Sequence, residues 1–301
     1  MRRIGWLFAF TSALIFSTNS PIAKNIISAG MEPVTLATLR FVLASVFMAV
    51  VVGGLGMGKA KGEEKPLNRR IIIIAFISGI INGFTIFAWY SSLSLIDASL
   101  AVVLGTALFP TMTLLLLALA GEKLTGRKLI RLALVFIGLY FLIAISNTSV
   151  SFLGLIYVLI GAFMYAIHLI SVQWYMKPYN TWAMVTIITF GSAFVVVFLW
   201  YLNGSPTFVP GWQGWLVVAY QAVVLSFLGR AAMYAAIDRI GTGQFALLTP
   251  LETVMSLSWA FLFLGERLTQ TQWFGAALIL LSATLAADFS RKKQADTIVR
   301  E

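Results

Sequence analysis

Residues 245–268 read FALLTPLETVMSLSWAFLFLGERL, and the carboxylate of Glu252 stands there among neighbours that are nearly all apolar or small. A charge at such a place is cheap on a water-facing helix and costly in lipid, so the solvent decides the reading. The chain has 301 residues, of which 60% are hydrophobic and 11% charged, with a mean hydropathy of +0.93. Soluble domains carry roughly 25% charged residues. This chain has too little polar surface to cover a globule in water, so its solvent is mostly lipid and residues 245–268 hold a membrane-spanning helix.

Working outward, a helical span needs about 20 mostly apolar residues. Ten stretches qualify: 4–24, 33–54, 71–93, 98–120, 129–146, 153–174, 181–202, 213–237, 243–264 and 271–289. The separators are short and carry Gly, Pro, Asn or charge, as in SAGMEP, KAKGEEKPLNRR, SLIDAS, NGSPTFVPG and GERLTQ. The basic start followed by an apolar run has the form of a signal peptide. It is long, lacks an A-x-A cleavage pattern and is followed by more spans, which makes it the first retained helix. With the N-terminus inside, 17 of the 21 Lys and Arg residues fall in inner segments and only Lys24 and Arg267 in outer ones, Arg40 and Arg230 lying within spans. The positive-inside rule then places both termini in the cytoplasm of a cell with the protein in its inner membrane. It also accounts for the net charge of +10 without nucleic acid.

The chain repeats itself. GEKLT at 121–125 matches GERLT at 265–269 at an offset of 144, which also pairs Tyr90 with Tyr234 and Leu93 with Ile237. At an offset of 149, Gly5 pairs with Gly154, Ala13 with Ala162 and Phe41 with Phe190. The expected fold is therefore all-α, with ten transmembrane helices as two five-helix repeats, residues 1–147 and 148–301, the second ending in a short basic tail. Five is odd, so the repeats are inverted. Such repeats hold a site near mid-membrane that faces each side in turn.

Two five-helix repeats, each with a G-E-[KR]-L-T turn after its fourth helix, resemble the EamA-type members of the drug/metabolite transporter superfamily. TPLETVMSLSWAFLFLGERL is similar to that family's L-E-P-V…L-G-E-R-L pattern, with Thr253 where proline is usual. LFAFTSALIFSTNSPIAK is similar to its first helix without the usual tryptophan-glycine pair. The resemblance covers the whole chain. It implies a secondary transporter, often an exporter of amino acids, amines, nucleobase-like metabolites or drugs.

Charges inside spans cost about 2.5–3.5 kcal/mol each on insertion scales, which makes them the first candidates for a site. Arg230 and Glu252 each lie 11 residues from Gly241, hence at one depth on adjacent antiparallel helices, where they can pair if they face each other. Their repeat counterparts, Ile86 and Leu108, are apolar. Glu252 would bind a cationic group or exchange a proton; the alternative is an ion pair that locks two helices. Arg40 offers a fork to a substrate carboxylate or else snorkels. His168 has Tyr165 on its helix face and Asn19 as its repeat counterpart, which suggests a cavity lining, or an interhelical hydrogen bond. A lone imidazole is also able to carry a proton. Asn82 sits between Gly79 and Gly83, a spacing that favours close helix packing. Trp89, Tyr90 and Tyr234 offer faces for a flat substrate, or serve in packing. Pro21, Pro110 and Pro250 each remove a backbone donor and mark candidate breaks or hinges.

GGLGMGKA at 53–60 has Ala60 where a phosphate loop needs Ser or Thr, and it ends a lipid span, so it is no nucleotide site. Glu122 and Glu266 are turn residues with structural roles. The chain has no cysteine and one histidine, which excludes thiolate metal sites and argues against zinc. No cofactor and no catalytic residue are expected. The favoured function is secondary efflux of a small amphipathic or zwitterionic metabolite, with protons as candidate coupling ions. An uncoupled facilitator is the near alternative. An intramembrane lipid-modifying enzyme lacks an acid–base cluster here, and a receptor would leave the inverted repeat unexplained. A homodimer stays open.

Overall fold

The computed structural model describes residues 2–60, 62, 64–119, 126–143, 150–176, 178–240 and 249–282. GEKLT at 121–125 and the basic tail lie outside them, as does the Tyr234 side chain. The described residues form no strand; Lys65 and Tyr179 make one isolated bridge. The protein is an all-α membrane protein, and ten helical segments fall on the ten expected spans. Helices α1 (Arg2–Ser17) and α2 (Asn19–Ser28) make span 1. Helices α3 (Pro33–Gly54), α4 (Arg69–Leu95), α5 (Ala98–Leu119) and α6 (Gly126–Ile143) make spans 2 to 5. Helix α7 (Phe152–Ser171), with a π-helical turn (Val172–Met176), is span 6, and α8 (Thr181–Leu202) is span 7. Span 8 joins α9 (Gly211–Ala219), a π-helical stretch (Tyr220–Gly229) and α10 (Arg230–Ile240). Helices α11 (Thr249–Leu264) and α12 (270–282) are spans 9 and 10. Four of the described helical segments, in spans 2, 3, 7 and 8, are by themselves long and apolar enough to cross a membrane.

The helices start and stop where local chemistry dictates. The Asn68 and Asn180 side chains accept from the Ile71 and Ala183 amides (3.0 and 3.1 Å) and cap α4 and α8. Pro33 sits in the first turn of α3, where a missing N–H costs nothing. The GERLT segment serves three helices at once. Gly265, at φ +66°, follows the end of α11. The Glu266 carboxylate accepts from the Ala98 and Ser99 amides (2.9 and 2.8 Å) at the start of α5. Thr269 and Gln272 exchange side-chain and backbone bonds as a capping box for α12. From the other side, Lys24 Nζ donates to the Leu93 and Ile96 carbonyls (2.7 and 2.9 Å) at the end of α4. The α4–α5 turn is thus held by a cation on its orphan carbonyls and an anion on its orphan amides, both favoured by the helix dipoles.

Packing follows the repeat. Span 3 packs on spans 6 and 7, and span 8 packs on spans 1 and 2. Span 4 packs on span 6, and span 9 on span 1. Spans 2 and 7 meet each other, as do spans 4 and 9. Exchanging residues 1–147 with residues 148–301 maps these pairs onto one another. The closest approach is between α4 and α8. A Cβ on Gly79 would overlap the Ile188 carbonyl oxygen and one on Gly191 the Phe76 carbonyl oxygen, so the backbones touch where only glycine fits. Contacts between loops also keep to one face. Lys65 N–H donates to Pro178 (2.9 Å) and Asn180 to Glu64 (3.0 Å), joining two segments expected inside. Thr35 donates to the Pro206 carbonyl (2.8 Å), joining two expected outside.

Candidate functional site

Two polar clusters lie between the repeats. The first surrounds Arg40 of α3, which is 5% exposed. Its Nε donates to Ser226 Oγ (3.1 Å), and its Nη1 to Asn19 Oδ1 (3.2 Å), to Gln221 Oε1 (3.0 Å) and to the Tyr90 hydroxyl. The Tyr90 hydroxyl in turn donates to Gln221 Oε1. The guanidinium also lies near the faces of Phe41 and Tyr90, 5.4 and 6.0 Å from their ring centres. Asn19, Arg40 and Tyr90 come from the first repeat, Gln221 and Ser226 from the second. Span 8 reaches the cluster through its π-helical stretch, where the Ser226 hydroxyl donates back to the Gln221 carbonyl (3.0 Å). π-Helical turns recur at functional sites because they re-aim side chains.

The second cluster surrounds His168 of α7. Its Nδ1 lies 2.8 Å from Ser78 Oγ and 3.2 Å from the Ser78 carbonyl. Ser78 Oγ lies 2.9 Å from Ser171 Oγ, whose hydrogen goes to the His168 carbonyl (2.7 Å). Hydrogen counting orders this chain. Ser171 has its hydrogen committed, so it accepts from Ser78. Ser78 then accepts from Nδ1. In the neutral ring Nδ1 therefore carries the hydrogen and Nε2 holds the lone pair. A run of aromatic contacts, Trp89 to Phe109 to Tyr165 to His168, has ring separations of 5.4, 5.0 and 6.0 Å. Arg230 Nη1 donates to Thr189 Oγ1 at 3.4 Å.

The expected site residues therefore divide. Asn19, Arg40 and Tyr90 come together, and Trp89, Tyr165 and His168 are joined through Phe109. Asn82 donates to Ser192 Oγ (3.0 Å) at the α4–α8 contact, which is a packing role. Glu252 lies in the first turn of α11 and makes no hydrogen bond to a described residue. The Arg230–Glu252 pairing is not among the contacts that the described residues make, and Arg230 has further interactions besides Thr189. The prolines differ among themselves. Span 1 breaks at Thr18, beside the Ser17 carbonyl that Pro21 leaves without a donor. Helix α5 runs unbroken through Pro110. Pro250 lies in the first turn of α11, and residues 241–248 before it lie outside the described residues. Gln221, Ser226, Ser78 and Ser171 are additions that charge and proline content did not reveal.

A cavity of about 450 Å³ opens beside the break in span 1, lined by Pro21, Ile22, Asn25, Tyr220 and Phe263 among others. Its lining begins one residue from Gln221 and two from Asn19, and the Tyr220 hydroxyl is bonded to Thr18 (2.7 Å).

The sequence profile of the EamA-like transporter family matches both halves of the chain, residues 3–144 and 152–287. The chain belongs to the EamA-like transporter family. A "Probable amino-acid metabolite efflux pump" of Escherichia coli (strain K12) is 28% identical to this EamA-like chain over 270 residues, 83% of this chain and 84% of that protein. A solved crystal structure, 18% identical, matches with a TM-score of 0.63 over 97% of this chain and 100% of its own, which supports the fold. The family points to a transporter rather than an enzyme.

Proposed function

We propose that this EamA-like protein is a secondary exporter of a small amphipathic or zwitterionic metabolite, of the amino-acid or amine kind, across the cytoplasmic membrane. The observation that carries the reading is the Arg40 cluster, a buried cation held by side chains of both repeats. Rocking one repeat against the other opens such a site to alternate sides. The relative described as an amino-acid metabolite efflux pump supports the direction and substrate class. Proton coupling falls to Glu252, a membrane carboxylate with no hydrogen bond among the described residues, and to His168, whose Nε2 is the basic atom. The charge asymmetry of the loops supports cytoplasmic termini.

The test uses purified protein in liposomes loaded with amino acids, amines and nucleobases. Release of one class, accelerated by an imposed pH gradient and insensitive to it in Glu252→Gln or His168→Gln, is the expected result. Release that ignores the gradient in the parent identifies an uncoupled facilitator. Retention of every class refutes export.

A further inference from the structure

We propose that Arg40 and Gln221 together form the seat of a carboxylate, so that the exported molecule is bound by its anionic end at this point; the inference rests on the exporter reading above. It starts from hydrogens without acceptors. A guanidinium has five N–H hydrogens. The one on Nε goes to Ser226, and the two on Nη1 meet three acceptors, Asn19, Tyr90 and Gln221. Nη2 makes no hydrogen bond to a described residue. Gln221 adds two more. Its Oε1 end is fixed as oxygen, because Arg40 and Tyr90 both donate to it. The other end is therefore the amide NH₂, and Gln221 Nε2 is buried with no hydrogen-bond partner. Gln221 is fully buried.

Both features are costly as they stand. A buried donor left unpaired and a buried charge whose described partners are all neutral are each unfavourable. One occupant relieves both if it is an acceptor and an anion. An ammonium group is excluded, since it brings only donors toward a cation. A neutral carbonyl satisfies donors and leaves the charge. A carboxylate brings one negative charge and two planar oxygens, which suit one N–H from a guanidinium fork and one from an amide.

Thermal unfolding of the purified full-length protein tests the seat. The probes are sodium L-phenylalanine and sodium decanoate, a water-soluble and a lipid-like carboxylate, against phenethylamine hydrochloride and sodium chloride. A saturable rise in Tm with either carboxylate, and none with the amine or chloride, is expected; which of the two acts tells whether the ligand is a solute or a lipid-like acid. Gln221→Glu places a carboxylate on Arg40 from within the chain. It should unfold at a higher temperature than the parent and bind the active carboxylate ~100-fold or more weakly. Gln221→Leu, which removes the orphan donor without adding charge, should weaken binding by ~10-fold. The proposal fails if neither carboxylate shifts the parent, if chloride or phenethylamine gives the same shift, or if both variants keep the parent affinity. Liposomes that release phenethylamine while no carboxylate shifts Tm would leave export standing and remove the seat.

Discussion

Glu266 offers the sharpest check on the reading of the GERLT segment as the clamp of another helix. Its two oxygens accept from the Ala98 and Ser99 amides at 2.9 and 2.8 Å, in the first turn of α5 and far away in the chain. Hydrogen bonds to a charged acceptor contribute about 1.5–3 kcal/mol each, and a negative charge at a helix N-terminus adds about 0.3–1 kcal/mol. Glu266 is half-buried, so the lower end applies. Glu266→Ala should then cost about 3 kcal/mol. Glu266→Gln keeps one acceptor and loses the charge, at about half that cost. Arg267→Ala is the control, since its neighbouring side chain makes only an exposed contact with the Phe261 ring (5.8 Å) and should cost under about 1 kcal/mol. The assay is thermal unfolding in detergent, followed by tryptophan fluorescence and, separately, by loss of monodisperse protein. The expected order of Tm is parent and Arg267→Ala highest, then Glu266→Gln, then Glu266→Ala. If both Glu266 variants match the parent, or Arg267→Ala falls below them, the clamp is not what the segment does.

Gly191→Val brings a side chain onto the Phe76 carbonyl at the α4–α8 contact and should cost about 3 kcal/mol or more, while Gly53→Val, which has no atom within 4 Å of its Cβ position, should be tolerated; expression yield and Tm separate them. Ser78→Ala removes the hydroxyl that orders the His168 chain, so gradient-driven release should fall several-fold with the gradient-free rate unchanged; an unaltered gradient response would refute the ordering. The natural chain has no cysteine. Leu67→Cys should therefore be labelled by an impermeant maleimide only from the cytoplasmic side and Asn203→Cys only from outside, and the reverse pattern would overturn the orientation.

Much of this was legible from residue types and spacing. Lipid leaves a small menu for the backbone, so the apolar runs mark the spans and the basic loops mark their faces. The single offset of 149 that links Asn19 to His168 also points to the two positions where the polar clusters form. Arg40 was legible as a candidate because charge in a span is costly, Asn19 because the repeat pairs it with His168, and Tyr90 because of its aromatic face. Gln221 and Ser226 were not. An amide or a hydroxyl in YQAVVLSF carries no charge to betray it, and the repeat counterpart of Gln221, Ile77, is apolar. The π-helical stretch of span 8 is a second reason. It changes the turn just before Arg230, so the side on which Arg230 emerges does not follow from a 3.6-residue period. Depth alone placed Arg230 level with Glu252, and depth says nothing of direction. Ser78 and Ser171 were hidden because serine is common in membrane helices and gains meaning only from what it meets.

The exchange of partners between repeats bears on how the protein is made. When α4 leaves the ribosome, α7 and α8, its main packing partners, have not yet been synthesised. Ser78, Asn82 and Arg40 then have none of their second-repeat partners, so the nascent first half enters the bilayer with polar groups that only the later half can cover. A truncated chain ending near residue 147 should accordingly be held by the insertion machinery or degraded, not accumulate as a stable half-protein. Co-expressed halves should rescue each other, because each supplies the surface on which the other closes.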